Sequence, residues 1–307
     1  MSERASTPRR GRLVRSAAAC VVLLGLAGYL LVRHDPGGSG PASCTVTADG
    51  SGDPYVIEPQ QAANAATIEA VASARGLPER AVTIALATAM QESALRNIDY
   101  GDRDSVGLFQ QRPSQGWGTP EQIMDPVYAA GKFYEHLVEI PGYSRLPLTV
   151  AAQRVQRSGF PDAYAKHESR AAMLTAALTG RRAAALNCVP ANGTAAGDPV
   201  RVREKLIREF GEDVLPDPAE VGGSGGGGRS APGPVVSVPV HTPARGTGAD
   251  ADRRGWEVAH WAVAHSSELG IERVSYGKRV WEAGRAKEGW RTTEGAFRPE
   301  VVIVTAK

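Results

Sequence analysis

Glu92 and Ser93 stand side by side at the end of a predicted helix, and the segment MQESALRNIDYGDRDSVGLFQQRPSQGWG, residues 90–118, follows with further acids, amides and aromatics. A carboxyl half-withdrawn from water keeps its proton to higher pH, which suits it to general acid work. Thr88 and Ala89, one turn back, are small, so Glu92 is expected at the rim of a groove. Gly107 and Gly116 permit tight backbone paths, Gln110 and Gln111 carry amides that donate and accept, and Phe109 and Trp117 carry flat apolar faces. Sugar rings are held by such a mixture of planar hydrogen bonding and stacking. Phe109 is expected in the core; Trp117 fits core and groove about equally.

The helix that must carry Glu92 is read in "LPERAVTIALATAMQESALRN", with Pro78 at its first turn and Val82, Ala85, Leu86 and Ala89 on one stripe. An alanine-rich helix, "PQQAANAATIEAVASARG", precedes it and stops at Gly76. Further helices are expected at about Pro126 to Val138, Leu148 to Gln156 and Asp162 to Leu178, with Pro141, Pro147 and Pro161 marking the breaks. Beyond a short helix in "VREKLIREFG" and a glycine-rich loop or linker at 222–234, the pattern changes. A helix "GWEVAHWAVAHSSELG", a strand "ERVSYG" and an apolar run "VVIVTA" indicate a small α+β part.

The first residues read differently. Arg4, Arg9, Arg10, Arg12 and Arg15 precede the uncharged run Ser16 to Val32, which at about 1.5 Å per residue just spans a thin bilayer. Residues 1–15 are therefore expected as a cytoplasmic tail, 16–32 as a transmembrane anchor and 33–55 as a stalk, with the bulk of the chain outside the cell. Secretion after cleavage of a signal peptide is the rival. Cys44 and Cys188 edge one compact segment and can pair in an oxidising compartment; two unrelated thiols are the alternative.

Other chemistries lack their signatures. A formal charge of +2 over 307 residues is uninformative. The chain has no zinc-finger spacing, no glycine-rich phosphate loop followed by lysine, and no basic run interleaved with aromatics outside the first residues. Neither nucleic acid nor a cofactor or metal is expected. His260 and His265, five apart on a helix, diverge by about 140° and read as satisfied or surface histidines. Trp256, Trp261, Trp281 and Trp290 read as core before binding face.

Glu92-Ser93 followed by Gly107-Leu108-Phe109-Gln110 resembles the lysozyme-like domain of soluble lytic transglycosylases, over roughly residues 56–188. The variant pattern, with "DPVYAAGKFYEHL" and "AAQRVQRSGFPDAYAKH", is similar to a subgroup of membrane-attached actinobacterial proteins. The resemblance implies a mainly α lysozyme-like domain at 56–188 that cuts the β-1,4 bond between N-acetylmuramic acid and N-acetylglucosamine in peptidoglycan, leaving a 1,6-anhydro end. It implies Glu92 as the catalytic acid and then base, Ser93 orienting it or contacting substrate, Gln110 near the cleaved sugar, and Tyr164 in contact with the glutamate. The family's Ala-Tyr-Asn-x-Gly motif falls at "VAAQRVQRSG", where Gln153 and Arg154 replace tyrosine and asparagine; Gln153, Gln156 or Arg157 is expected to supply those contacts. Peptidoglycan strands are the implied partner, with cell-wall or secretion machinery as a further one.

Two alternatives stay open. A lysozyme-type hydrolase would need a second carboxylate, about 5–5.5 Å away if retaining or 6.5–9.5 Å if inverting; Asp99, Asp102 and Asp104 are candidates, although "DYGDRDS" equally reads as a polar loop. A non-catalytic peptidoglycan-binding or scaffold protein would have kept the fold and lost turnover. Residues 189–307 resemble a degenerate D-Ala-D-Ala carboxypeptidase-like domain. Its closing strand lacks the metal-binding histidine, and His241 and Asp250 have the wrong spacing, so a non-catalytic remnant is implied.

Overall fold

The computed structural model describes residues 41–48, 53–160, 162–191, 196–215, 234–240, 247–294 and 296–306. Helices dominate. They are α1 (Pro59–Ala74), α2 (Glu79–Ser93), the one-turn α3 (Pro120–Ile123), α4 (Pro126–Val138), α5 (Leu148–Gln156), α6 (Glu168–Leu178), α7 (Pro199–Phe210), α8 (Gly248–Ala264) and the short α9 (Ser266–Leu269). The strands are β1 (Ser43–Val46), β2 (Tyr55–Ile57), β3 (Leu186–Val189), β4 (Val235–Pro239), β5 (Ile271–Gly277), β6 (Arg279–Glu282), β7 (Arg291–Thr292) and β8 (Arg298–Thr305). The coarse reading of a mostly helical chain with a smaller C-terminal sheet holds.

Helix starts follow local chemistry. Pro59, Pro120, Pro126 and Pro199 occupy first-turn positions, where a missing N–H costs nothing. Asp125 and Asp198 accept from Val127 N–H and Val200 N–H at 3.0 and 2.8 Å, capping α4 and α7.

Helix α1 is the hub: every residue from Ala62 to Ala72 is buried. It packs against α2, α4, α7 and α8, and alanine at most of its positions lets those helices approach from all sides. Helix α2 packs chiefly on α6.

Two antiparallel sheets flank the helices. The first has the order β2-β1-β3, the second β4-β8-β5-β6-β7. In the first, Cys44 lies directly opposite Cys188 and the expected disulfide joins them, its Cα atoms 3.9 Å apart. Ser43–Val46, expected as stalk, is therefore a strand; pairing with β2 and β3 and burial of Cys44 and Val46 hold it in the core.

The single-pass membrane topology also requires correction. Among the described residues no helix is long and apolar enough to cross a membrane, and 16–32, on which that expectation rested, lies outside them. The 1–15 tail, the signal-cleavage alternative, most of the 222–234 loop and His241 likewise lie outside the described residues.

Ala42–Lys307 packs as one compact unit, and α8 shows how. One side meets β5 and β8; another meets β3, α1 and α6. Gly180, at φ +66 after α6, sits so close to α8 that an added Cβ would lie 1.8 Å from the Arg253 carbonyl oxygen. Any side chain there would push α8 away.

The seam carries buried charge. Glu209 of α7 accepts from Trp261 Nε1 at 2.6 Å and Thr67 Oγ1 at 2.9 Å, with Lys205 Nζ at 3.1 Å. Nearby, Glu69 of α1 faces Glu257 of α8 within hydrogen-bonding reach, and Arg254 pairs with Glu257 at 2.9 Å. Burial raises the proton affinity of Glu69 well above the usual glutamate range, and repulsion by Glu257 adds to it.

The folded state thus holds a proton that the unfolded chain releases. Its contribution is complete below the ordinary glutamate range and is lost as pH rises towards the folded-state value. Glu69→Gln should therefore lose less thermal stability than the wild type as pH rises above the ordinary glutamate range, as read by calorimetric melting. Replacing Cys44 and Cys188 by serine should lower unfolding free energy by about 3–5 kcal/mol in denaturant titrations, because the bond closes a loop with a sequence separation of 144.

Candidate functional site

Helix α2 ends abruptly. Ala94 and Leu95 both adopt left-handed backbone, at φ 53 and 61, which reverses the chain and buries Leu95. Glu92 and Ser93 are left on the last turn, both half-buried.

The reversed chain returns as a pinched turn. Val106 and Gln111 exchange backbone hydrogen bonds at 3.0 and 3.1 Å, closing the loop Gly107-Leu108-Phe109-Gln110. Gly107 has φ +79, and an added Cβ would stand 2.7 Å from the Ile123 carbonyl oxygen, so only glycine fits. Leu108 and Phe109 are fully buried, and Phe109 stacks on Phe133 with centroids 4.7 Å apart, as expected of a core residue. Ser93 Oγ donates to the Leu108 carbonyl at 2.8 Å, and Gln156 Nε2 donates to the Phe109 carbonyl at 2.7 Å. Gln111 Nε2 reaches Ala129 O on α4 at 3.0 Å. The loop is thus tied to three helices.

Over this floor opens a cleft of about 900 Å³. Glu92, Gln110 and Gln156 line it, with Trp117 and His136 on one side and Arg154, Arg157 and Phe160 on another. Trp117 packs edge-on to His136 at 4.4 Å, and its carbonyl accepts from Tyr128 Oη at 3.1 Å. Phe160 is 77% exposed. Two flat side chains therefore border the opening.

Tyr164, fully buried, donates its hydroxyl to Glu92 Oε1 at 2.7 Å. Burial raises the Glu92 pKa above the ordinary glutamate value, while hydrogen bonds from Tyr164 and Gln156 pull it partway back. Among the described residues no cation pairs with Glu92. Tyr164 itself stays protonated, because burial and the adjacent carboxyl both raise its pKa far above the usual phenol range.

The residues singled out from sequence divide. Glu92, Tyr164 and Gln110 come together at the cleft, Tyr164 beneath it. Gln110, at φ 48, turns its amide Nε2 towards the Tyr100 and Gly107 carbonyls, both at 3.3 Å. Ser93 is absent from the cleft lining and spends its hydroxyl on the Leu108 carbonyl of the loop. Gln153 does not join them: it is absent from the cleft lining and its Nε2 closes the end of α5 on Ser158 O at 2.7 Å. Gln156, one turn further along α5, is the residue the cleft presents, and its buried Oε1 has no partner.

The second-carboxylate candidates also separate. Asp104 accepts from Arg112 Nε at 2.9 Å and Ser114 N–H at 2.8 Å, and these bonds hold it ionised far below the usual range. Asp99 is exposed and outside the cleft lining; Asp102 lines the cleft.

His260 and His265 are fully buried and hydrogen-bonded. His260 accepts from Ala185 N–H at 3.1 Å and meets Ala177 O at 2.7 Å, and burial pushes its pKa down to about 4. Trp261, Trp281 and Trp290 are buried in the core. Among the described residues no group of three or more histidine, cysteine, aspartate or glutamate side chains could hold a metal ion.

A family model described as "VldE, C-terminal domain" matches residues 200–300, about a third of the chain. That region is where the sequence led to the expectation of a carboxypeptidase-like remnant, and the matching description is a different one. No curated protein matches the chain.

Tyr164→Phe removes a donor to the carboxylate and nothing from the apolar packing of the ring. The Glu92 titration midpoint should move upward, read from the pH dependence of its side-chain carbon signal by NMR.

Proposed function

We propose that the helical part of the chain is a lysozyme-like glycan-cleaving unit acting on the β-1,4 bonds of peptidoglycan through Glu92. The observation that supports this reading most is one carboxyl with raised proton affinity, held by a buried tyrosine, on the floor of an open cleft bordered by amides and aromatic faces.

The geometry suits a sequence of two proton transfers. Glu92 donates its proton to the bridging oxygen as the C1–O4 bond breaks. The resulting carboxylate then takes the proton of the same sugar's 6-hydroxyl as that oxygen bonds to C1, closing a 1,6-anhydro ring and restoring the acid. Tyr164 stabilises the carboxylate between the steps by donating to it. Gln156, a second neutral donor to Glu92, steadies the carboxylate in the same way.

Engagement of both Asp104 oxygens favours this single-acid scheme over two-carboxylate hydrolysis. Asp102, lining the same cleft, is the observation that keeps hydrolysis as the second reading.

Purified full-length protein should release soluble fragments from peptidoglycan sacculi, with masses corresponding to 1,6-anhydro ends. Glu92→Gln, which keeps size and removes the proton, should slow release roughly 10³-fold while sacculus binding persists. Reducing ends would favour the hydrolase, and binding without any release by the wild type would favour a glycan-binding protein.

A further inference from the structure

One wall of the cleft is chemically lopsided. Residues 154–160 contribute Arg154, Gln156, Arg157 and Phe160 to the lining and no carboxylate. Arg154 and Arg157 are exposed, and neither makes an ion pair or side-chain hydrogen bond among the described residues. Elsewhere around the cleft, acids stand among the bases: Arg112 is tied to Asp104, Asp102 lines the cleft with Arg103, and Glu139 lies 3.8 Å from His136 Nδ1. A neutral polysaccharide would give the 154–160 wall nothing to pair with.

We infer that Arg154 and Arg157 form a subsite for carboxylates carried on the substituents of the strand, so that the cleft selects strands bearing acidic peptide stems over bare glycan. This rests on the glycan reading above. The guanidinium forks suit carboxylates, and they stand on the rim beside Phe160, where a side branch would leave a strand lying over Glu92. Neither arginine is among the groups that shift the Glu92 proton, so they serve a part of the ligand away from the reacting bond.

The test uses full-length Glu92→Gln protein, which binds without turnover, and three strand preparations. These are peptide-bearing strands cleared of phosphodiester polymers by acid, the same strands stripped of peptide by an amidase with the lactyl carboxylates so exposed capped as methylamides, and strands retaining the phosphodiester polymer. Binding at low ionic strength should favour peptide-bearing over stripped strands roughly fivefold, and the ratio should shrink as salt is raised. Adding Arg154→Gln and Arg157→Gln should bring the ratio to about one, with circular dichroism confirming the fold. Equal binding of peptide-bearing and stripped strands by the parent protein overturns the inference and leaves the glycan reading standing. A preference only for phosphodiester-bearing strands overturns it in favour of another anion, and no binding to any preparation overturns both readings.

Discussion

The left-handed stop after Ser93 is the constraint from which the cleft follows. A regular helix continuing past Ala94 would carry the chain away from the body of the protein. Two consecutive left-handed residues instead fold it back, Leu95 is buried, and the carboxyl of Glu92 stays on the final turn. That position has an electrostatic consequence of its own. The C-terminal end of a helix carries partial negative charge, which disfavours a second negative charge there and acts in the same direction as burial. The returning loop then fastens itself to the stop through Ser93 and Leu108, so the acid and its groove are held by one set of hydrogen bonds.

The C-terminal part bears on the cleft indirectly, through α1. Helix α1 contributes no cleft residue, yet it supports α2 on one side and receives α7 and α8 on others. The polar groups at that seam come from different elements: Thr67 and Glu69 from α1, Lys205 and Glu209 from α7, Glu257 and Trp261 from α8. Breaking such a buried network leaves charges without partners, so a displaced α8 would carry a penalty that apolar contacts alone would not impose. The region matching the VldE C-terminal model thus packs as part of the core that the helical part uses.

Sequence reading located what local chemistry specifies. The helices at Pro126–Val138 and Leu148–Gln156 stand where proline positions and periodicity put them. Glu92 and the Gly107 turn were within reach because residue type and spacing carry them; Tyr164 was reached only through the family resemblance. What escaped was non-local. Ser43–Val46 sits among glycines and prolines, and what makes it a strand is its place between β2 and a strand whose Cys188 lies 144 positions from Cys44. Gln153 and Gln156 lie on one face of α5 and differ only in which of them clears the helix end. The burial of Glu69 could not be anticipated either, since an alanine-rich helix gives no sign of how many neighbours enclose it.

Three glutamates withdrawn from water show why burial alone does not mark a reactive group. Glu209 lies among Lys205, Trp261 and Thr67, with its oxygens committed to hydrogen bonds. Glu69 shares its environment with Glu257 and two nearby arginines, in a seam that admits only a pocket of about 160 Å³. Both serve packing. Glu92 has neutral donors, no cationic partner among the described residues, and a cleft more than five times larger above it. A cation would fix the charged form and lower its proton affinity; neutral donors steady the carboxylate without abolishing the acid. The combination lets one side chain hold a proton, release it to a bound ligand and take it back, and only Glu92 of the three also stands where a polymer can reach it.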